Sequence, residues 1–314
     1  MICSKKEKGI SVVAIGGGTG LPNILKSLKI YANDITAIVT VADDGGSSGR
    51  IRKELGILPP GDIRNCLMAL SNSNSIVGDI FQYRFKKGEL AGHSLGNLIL
   101  AALTDMKGDF VEAIRESGNL LKIEGRVLPS STEDIVLFAK TKNGGLIEGQ
   151  SRITEPKNWG GIKNVRIKPE EAEAYPEAVK AIEAADQIIL GPGSLFTSII
   201  PNLLVKGIKD ALFNSKAMKV FICNITTQPG ETDNYSAADH LEAVSRHVSK
   251  NFVNTMVINS NFDGLIEHEL APVKIDEKRV FELGTKPLLE DVADTSFVGH
   301  HDSYKLSQVL RALI

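Results

Sequence analysis

Five short polar segments carry residue types and spacings suited to chemistry. The first is Gly16-Gly17-Gly18-Thr19-Gly20-Leu21. Glycines let backbone amides come close to an anion, and a helix starting behind them adds partial positive charge, so this run suits a phosphate. The second is Asp43-Asp44-Gly45-Gly46-Ser47-Ser48-Gly49-Arg50. Asp43 or Asp44 there can take a ribose hydroxyl, or the two can hold Mg²⁺ through oxygen ligands. The plain alternative for one of them is an Asx-turn, with Asp44 capping the next helix. The third is Pro59-Pro60-Gly61-Asp62-Ile63-Arg64-Asn65. On a helix Asp62 and Asn65 share a face away from Ile63, Leu67 and Leu70, and point at solvent or at a site. Asp62 is equally an ordinary acid in a first helical turn. Gly191-Pro192-Gly193-Ser194 repeats the phosphate-cradle pattern, and Asn224-Ile225-Thr226-Thr227-Gln228 offers neutral hydrogen-bonding groups in Asn224, Thr226 and Gln228.

Other patterns compete for attention. Gly92-His93-Ser94-Leu95-Gly96 fits the spacing of a nucleophile elbow, but that motif needs a buried strand before its serine. Residues 82–91 are too polar for one, so Ser94 reads better as the N-cap of the helix that follows, satisfying its first amides. His93 and Asn97, four apart, either reach a cleft or make a structural hydrogen bond. Trp159 stacks on a base or anchors a subdomain. His300-His301-Asp302 precedes the last helix, with Asp302 or Ser303 as its cap. Neither a dinucleotide fingerprint nor a Walker loop is complete: the third fingerprint glycine falls on Leu21, and no Gly-Lys-Ser/Thr follows.

The elements that must position these groups alternate. Apolar runs at 11–15, 35–42, 187–190, 218–223 and 255–259 read as buried strands, and helical periodicity marks 21–31, 61–70, 94–106, 109–121, 176–185, 237–249 and 303–313. The stretch 94–106 is apolar nearly all round, which predicts a central, fully buried helix. Strand–loop–helix–strand order implies a parallel sheet, so these loops open at one carboxyl edge, where such sheets bind ligands. Residues 122–169 differ: runs at 135–141 and 146–153 flank Asn143-Gly144-Gly145, a hairpin signal, and read as a β-rich insertion. The expected fold is a doubly wound, mostly parallel, Rossmann-like α/β sheet, one nucleotide-binding domain over 1–314 with the small β-rich subdomain 122–169 embedded in it.

Composition narrows the function classes. The 314 residues carry a formal net charge of −2 and no dense basic run, so nucleic acid and anionic membranes are not expected partners. Cys3, Cys66 and Cys223 have neither zinc-site spacing nor an even count, and Cys66 and Cys223 read as inert core thiols. No apolar run is long enough to span a bilayer, and no signal peptide opens the sequence, which predicts a cytoplasmic protein.

Together the glycine-rich, Asp-Asp-Gly-Gly-Ser-Ser-Gly, Pro-Gly-Asp-Ile-Arg-Asn, Gly-His-Ser-Leu-Gly-Asn and Gly-Pro-Gly-Ser-Leu segments make the chain resemble the bacterial gluconeogenesis factor family, within the 2-phospho-L-lactate transferase superfamily. The resemblance implies a regulatory protein needed for cell shape and envelope synthesis on gluconeogenic carbon sources. It also implies binding of a nucleotide sugar like UDP-N-acetylglucosamine, envelope-synthesis proteins as partners, and a homodimer. No cofactor is required on this reading beyond Mg²⁺ accompanying the nucleotide, and no catalytic residue is assigned. The transferase arm of the superfamily moves a phospholactyl group with Mg²⁺; an NAD-binding protein is the other alternative. In the expected site the diphosphate lies on Gly16, Gly17, Gly18, Thr19, Gly20 and Leu21, shared with Gly191, Pro192, Gly193 and Ser194. Asp43, Asp44, Gly45, Gly46, Ser47 and Ser48 take a ribose or a metal. Asp62, Asn65, His93 and Asn97 line the floor, and Asn224, Thr226 and Gln228 close the other side.

Overall fold

The computed structural model describes residues 9–72, 75–155, 160–249, 251–265 and 267–314. The expectations for Cys3 and Trp159 fall outside them. Its strands are β1 (Ser11–Gly16), β2 (Asp34–Val39), β3 (Arg126–Pro129), β4 (Val136–Thr141), β5 (Leu146–Glu148), β6 (Ile162–Lys168), β7 (Gln187–Leu190), β8 (Met218–Ile222), β9 (Thr255–Asn259) and β10 (Lys286–Glu290). The helices of the first half are α1 (Gly20–Leu28), α2 (Gly46–Leu55), α3 (Gly61–Leu70), α4 (Ile76–Gln82), α5 (Leu95–Lys107), α6 (Phe110–Leu121) and α7 (Gln150–Ile153). Those of the second half are α8 (Pro176–Ala184), α9 (Ile200–Leu204), α10 (Ile208–Asn214), α11 (Ala237–His247), α12 (Glu277–Glu282) and α13 (Ser303–Arg311).

Seven strands form one sheet in the order β10-β9-β8-β7-β1-β2-β3, with every pairing parallel. Central strands covered on both faces read as near-continuous apolar runs, and past their first residues β1 and β7 do: Val12, Val13, Ala14, Ile15, Ile188, Ile189 and Leu190 are all buried. Helix α1 lays Leu21, Ile24, Leu25 and Leu28 on this sheet. Helix starts are fixed by side chains: Asp109 accepts from the Glu112 amide, and Ser236 and Asp239 form a reciprocal capping box on α11.

Three expectations need correction. The stretch 122–169 is not one insertion, because β3 pairs with β2 in the main sheet; only β4, β5 and β6 form the separate antiparallel sheet. Helix α5 is not buried all round. Its Gly96, Asn97, Leu100, Ala101 and Thr104 face inward, whereas Met106 is 76% exposed, because its packed neighbours cover only one side. Ser94 does occupy the N-cap of α5, but its hydroxyl makes no capping bond; it donates to the Phe81 carbonyl instead. Sequence periodicity also missed β10, whose Lys286-Pro287 start and half-exposed pattern suit an edge strand.

At the amino end of β7, Gln187 is fully buried, accepting from the Tyr31 hydroxyl at 2.6 Å and donating to the Leu310 carbonyl at 2.9 Å. One amide therefore joins the sheet to the ends of α1 and α13. Gln187→Leu leaves both partners unmatched and should lower the unfolding free energy by about 1–3 kcal/mol in a urea titration; an unchanged midpoint would show that they find other partners.

Candidate functional site

The chain leaves β1 toward β2 on one side, while β7, on the other side of β1, leads to β8. With right-handed crossovers the two connections diverge, opening a crevice at the carboxyl ends of β1 and β7. The two glycine loops face each other there. Gly20 packs so closely on the second loop that a Cβ would sit 2.2 Å from the Pro192 carbonyl oxygen. Gly17 is hemmed by Thr40 and Asp62, and Gly18 turns the chain with φ +60°. Gly16 has no such constraint, a Cβ meeting only Leu21 at 3.6 Å.

Side chains hold both loops in shape. Asp62 Oδ2 accepts from the Gly18 amide at 2.7 Å, and Asn202 donates to the Gly16 carbonyl at 2.9 Å. Asn224 makes a reciprocal pair with Gly193, accepting from its amide at 3.0 Å and donating to its carbonyl at 2.9 Å. Gln228 donates to the Ser194 hydroxyl at 2.8 Å. Two amides of the expected cradle, Gly18 and Gly193, are thus already occupied. The first turn of α1 is not capped by a side chain, since the Thr19 hydroxyl makes no capping bond.

Between the loops lies a hollow of about 210 Å³, floored by Gly18, Thr19 and Gly20 and walled by Gly193, Ser194, Asn224, Thr226 and Gln228. Asn23, Gly299 and His300 complete it. Asn23 is one turn beyond Thr19 on the same face of α1, a signal that was present in the sequence but not used. His300 belongs to the wall because buried His301 anchors its loop: His301 Nε2 donates to the Cys223 carbonyl at 3.1 Å, and Asn23 Nδ2 donates to the His301 carbonyl at 2.7 Å. Burial pushes the His301 pKa down to about 4, so the ring is a neutral strut. Leu21, expected at the ligand, is fully buried in the core and cannot touch one. A larger hollow of about 430 Å³ lies between α6 and the amino end of β3, away from the strand carboxyl ends.

The loop after β2 splits its two aspartates. Asp43 makes the Asx-turn, accepting from the Gly45 amide at 3.0 Å. Asp44 turns to the small sheet, where Oδ1 accepts from the Ser151 amide at 2.7 Å in the first turn of α7. The two carboxylates of the expected metal pair thus bond to different partners, although the charge of Asp44 still raises Asp43, and Asp62 lies in the field of Asp43 as well. Burial, then the charge of Asp43, raises Asp62 to about pKa 6, opposed by the Gly18 amide and Arg64. Burial also raises Asp43, against its bonds from Gly45 and Ser48. Among the described residues no group of three or more His, Cys, Asp or Glu side chains converges on a point. Magnesium held by Asp43 with Asp44 or Asp62 would need oxygens from a bound nucleotide to complete its shell.

Ser48 packs against Gly61, while Ser47 turns to the start of α5: it accepts from Asn97 at 3.1 Å and lies 3.1 Å from His93 Nδ1. Gly45 and Gly46 form the turn that starts α2. Asn65 does not reach the crevice as a free group, since its Oδ1 accepts from the Arg64 guanidinium at 2.6 Å. Ser94 is fully buried and accepts from Arg64 at 2.6 Å, which excludes an exposed nucleophile.

Comparisons with known proteins identify the family and match the fold. The family model of the 2-phospho-L-lactate transferase CofD matches residues 12–293. The chain belongs to the CofD family. Within it the chain is 45% identical to a gluconeogenesis factor of Listeria monocytogenes, over 99% of this chain and 97% of that one. A gluconeogenesis factor of Bacillus subtilis is 46% identical over 96% of this chain and 98% of its own length. A crystal structure of a protein from Bacillus halodurans superposes with a TM-score of 0.92 at 42% identity, covering 97% of this chain and 99% of that one. No helix among the described residues is long and apolar enough to cross a membrane.

One residue of this CofD-family protein had no sequence signal. Glu231, 3% exposed, accepts from the Thr197 hydroxyl at 3.2 Å and from the Phe196 amide, while its Oε2 has no partner. It thereby holds the π-helical turn Leu195–Ile199 that follows the second glycine loop. Burial raises its pKa from 4.5 to about 7.

Two predictions follow from these contacts. Gly16→Ala should melt like the wild type, whereas Gly20→Ala must part the two loops and should lose about 1–3 kcal/mol of stability; equal melting of the two variants would disprove the close approach. For Glu231, the folded state holds the proton more tightly than the unfolded chain. Its contribution to stability is complete below pH 4.5 and lost as pH rises through about 7. The stability of the wild type relative to Glu231→Gln should therefore fall by about 3 kcal/mol between pH 4.5 and about pH 8. A difference that does not vary with pH would mean that the carboxyl is solvated.

Proposed function

We propose that this chain is a regulatory nucleotide-sugar-binding protein whose ligand resembles UDP-N-acetylglucosamine. Its role on this reading is in cell shape and envelope synthesis during gluconeogenic growth. The observation that carries the binding part is the pair of glycine loops meeting at the sheet's switch point, with Gly20 against the Pro192 carbonyl and the first turn of α1 open to the hollow. At about 210 Å³ the hollow is smaller than the roughly 300–1,000 Å³ of complete ligand sites. It suits a diphosphate, with base and sugar lying along the neutral wall of Asn224, Thr226 and Gln228. The choice of a UDP-sugar, and the regulatory role, rest on the resemblance to gluconeogenesis factors. The same reading includes a homodimer and envelope-synthesis proteins as partners, with the exposed side of α5 around Met106 as a face on offer.

A second reading, a Mg²⁺-dependent transferase of the 2-phospho-L-lactate type, is favoured by the adjoining carboxylates of Asp43 and Asp62 and by the family model. Calorimetric titration with UDP-N-acetylglucosamine, a guanosine nucleotide and NAD, each with and without Mg²⁺, separates the readings. The expected outcome is micromolar binding of the UDP-sugar and its recovery unchanged after long incubation. Preference for the guanosine nucleotide with strict Mg²⁺ dependence would replace the sensor with the transferase. Preference for NAD would overturn both.

A further inference from the structure

On the far side of Asp62 from the glycine loops, positive charge gathers without a countercharge. Arg52, Arg115, Arg126, Arg166 and Arg279 each have a carboxylate within 4.0 Å. Arg50, Arg64 and Arg84, like Arg246 and Arg311 elsewhere among the described residues, have no such partner; what sets these three apart is that they bond to neutral oxygens of one segment. Arg50 donates to the Ala91 carbonyl at 2.8 Å, Arg84 to the Gly92 carbonyl at 2.6 Å, and Arg64 to Ser94 and Asn65, both at 2.6 Å. All three guanidiniums are thus drawn onto the segment around His93. Arg64 Nε is buried with no acceptor at all.

These charges act on one another. After burial, the nearest influence lowering Arg64 is the charge of Arg84, and those lowering His93 are Arg50 and Arg84. The acids facing the cluster are Asp62 toward Arg64 and Glu54 toward His93, neither at ion-pair distance. Two helix starts add to the field. The N-caps of α2 and α5, Gly45 and Ser94, make no side-chain capping bond, and the 3.1 Å contact of Ser47 with Asn97 shows that the two starts adjoin. Ser47 accepts from Asn97 and shares a hydrogen bond of 3.1 Å with His93 Nδ1, which ties the imidazole to the same two helix starts. Like charges packed together destabilise a fold unless an anion joins them, and planar guanidiniums match the oxygens of a phosphoryl group.

We propose that Arg50, Arg64 and Arg84, with His93 among them, form a second anion subsite, separate from the glycine loops, that takes a phosphomonoester group. The inference goes beyond the nucleotide-sugar reading and does not depend on it. The group belongs either to a separate phosphorylated metabolite or to a distal part of the nucleotide ligand.

The test is a calorimetric titration with inorganic phosphate at fixed ionic strength, on free protein and on protein saturated with UDP-N-acetylglucosamine. The variant is the double substitution Arg50→Gln and Arg84→Gln, at exposed positions where glutamine keeps an N–H for the Ala91 and Gly92 carbonyls. The expected result is phosphate binding at least about tenfold weaker in the double variant, with an unchanged melting temperature. Phosphate that still binds the saturated wild type marks a separate metabolite. Phosphate displaced by the UDP-sugar, with the double variant weakening both, marks a distal group of the same ligand. Two results overturn the proposal: phosphate affinity unchanged in the double variant, or phosphate displaced by the UDP-sugar while the variant leaves UDP-sugar affinity intact. Should the UDP-sugar not bind at all, the nucleotide reading fails, and the phosphate titrations on free wild type and variant still decide this one.

Discussion

The contact of Gly20 with the Pro192 carbonyl governs the geometry of the cleft. Two loops leave adjacent parallel strands in opposite directions, so nothing in the sheet itself keeps them together beyond the last ladder bond. Their approach depends on the absence of a single Cβ, since even a methyl would sit 2.2 Å from a backbone oxygen that cannot swing aside. The distance between the loops sets the width of the hollow and places the first turn of α1 opposite Ser194. The π-helical turn behind Ser194 and the amide of Asn202 on Gly16 brace the same approach from below.

Around that contact the chain fills its own anion-binding amides. Asp62 accepts from Gly18 and Asn224 pairs with Gly193, so each loop is rigid before any ligand arrives. Rigidity of this kind lowers the ordering cost of binding. It also limits how many amides a phosphate can claim, and it sets a carboxyl next to the anion's path. Asp62, raised to about pKa 6, has its charged form disfavoured by burial and by Asp43 alike. Its negative charge is therefore easier to suppress beside a phosphate than that of an ordinary aspartate.

Much of this was legible in the sequence. The parallel sheet followed from apolar runs alternating with 3.6-residue periodicity, and the glycine loops followed from their place between strand and helix. Failures had physical causes. Residues 94–106 looked buried because composition does not say how many neighbours a helix has, and β3 looked like part of the hairpin insertion because strand partners are long-range. Leu21 was drawn into the site by its place beside the glycines, although its spacing with Leu25 and Leu28 already put it on the core face. The sequence could not say what Asp43 and Asp44 bond to: one accepts from Gly45 in an Asx-turn and the other from Ser151 at the start of α7, a long-range partner. Glu231 gave no signal, since its value comes from Thr197 and Phe196, more than thirty positions away in the chain.

Charge is grouped around Asp62. Its carboxylate holds the Gly18 amide beside the neutral wall of Asn224, Thr226 and Gln228, the charge of Asp43 acts on it, and the guanidiniums of Arg64, Arg84 and Arg50 gather at the segment around His93. A purely anion-binding groove has no use for these two carboxyls, and a metal cage would want a third protein ligand there, which the described residues do not supply. Two half-buried acids beside a helix start and a group of guanidiniums suit a ligand that is anionic and either hydroxylated or cation-bridged, because each acid can accept from a hydroxyl or share a divalent ion with a phosphate.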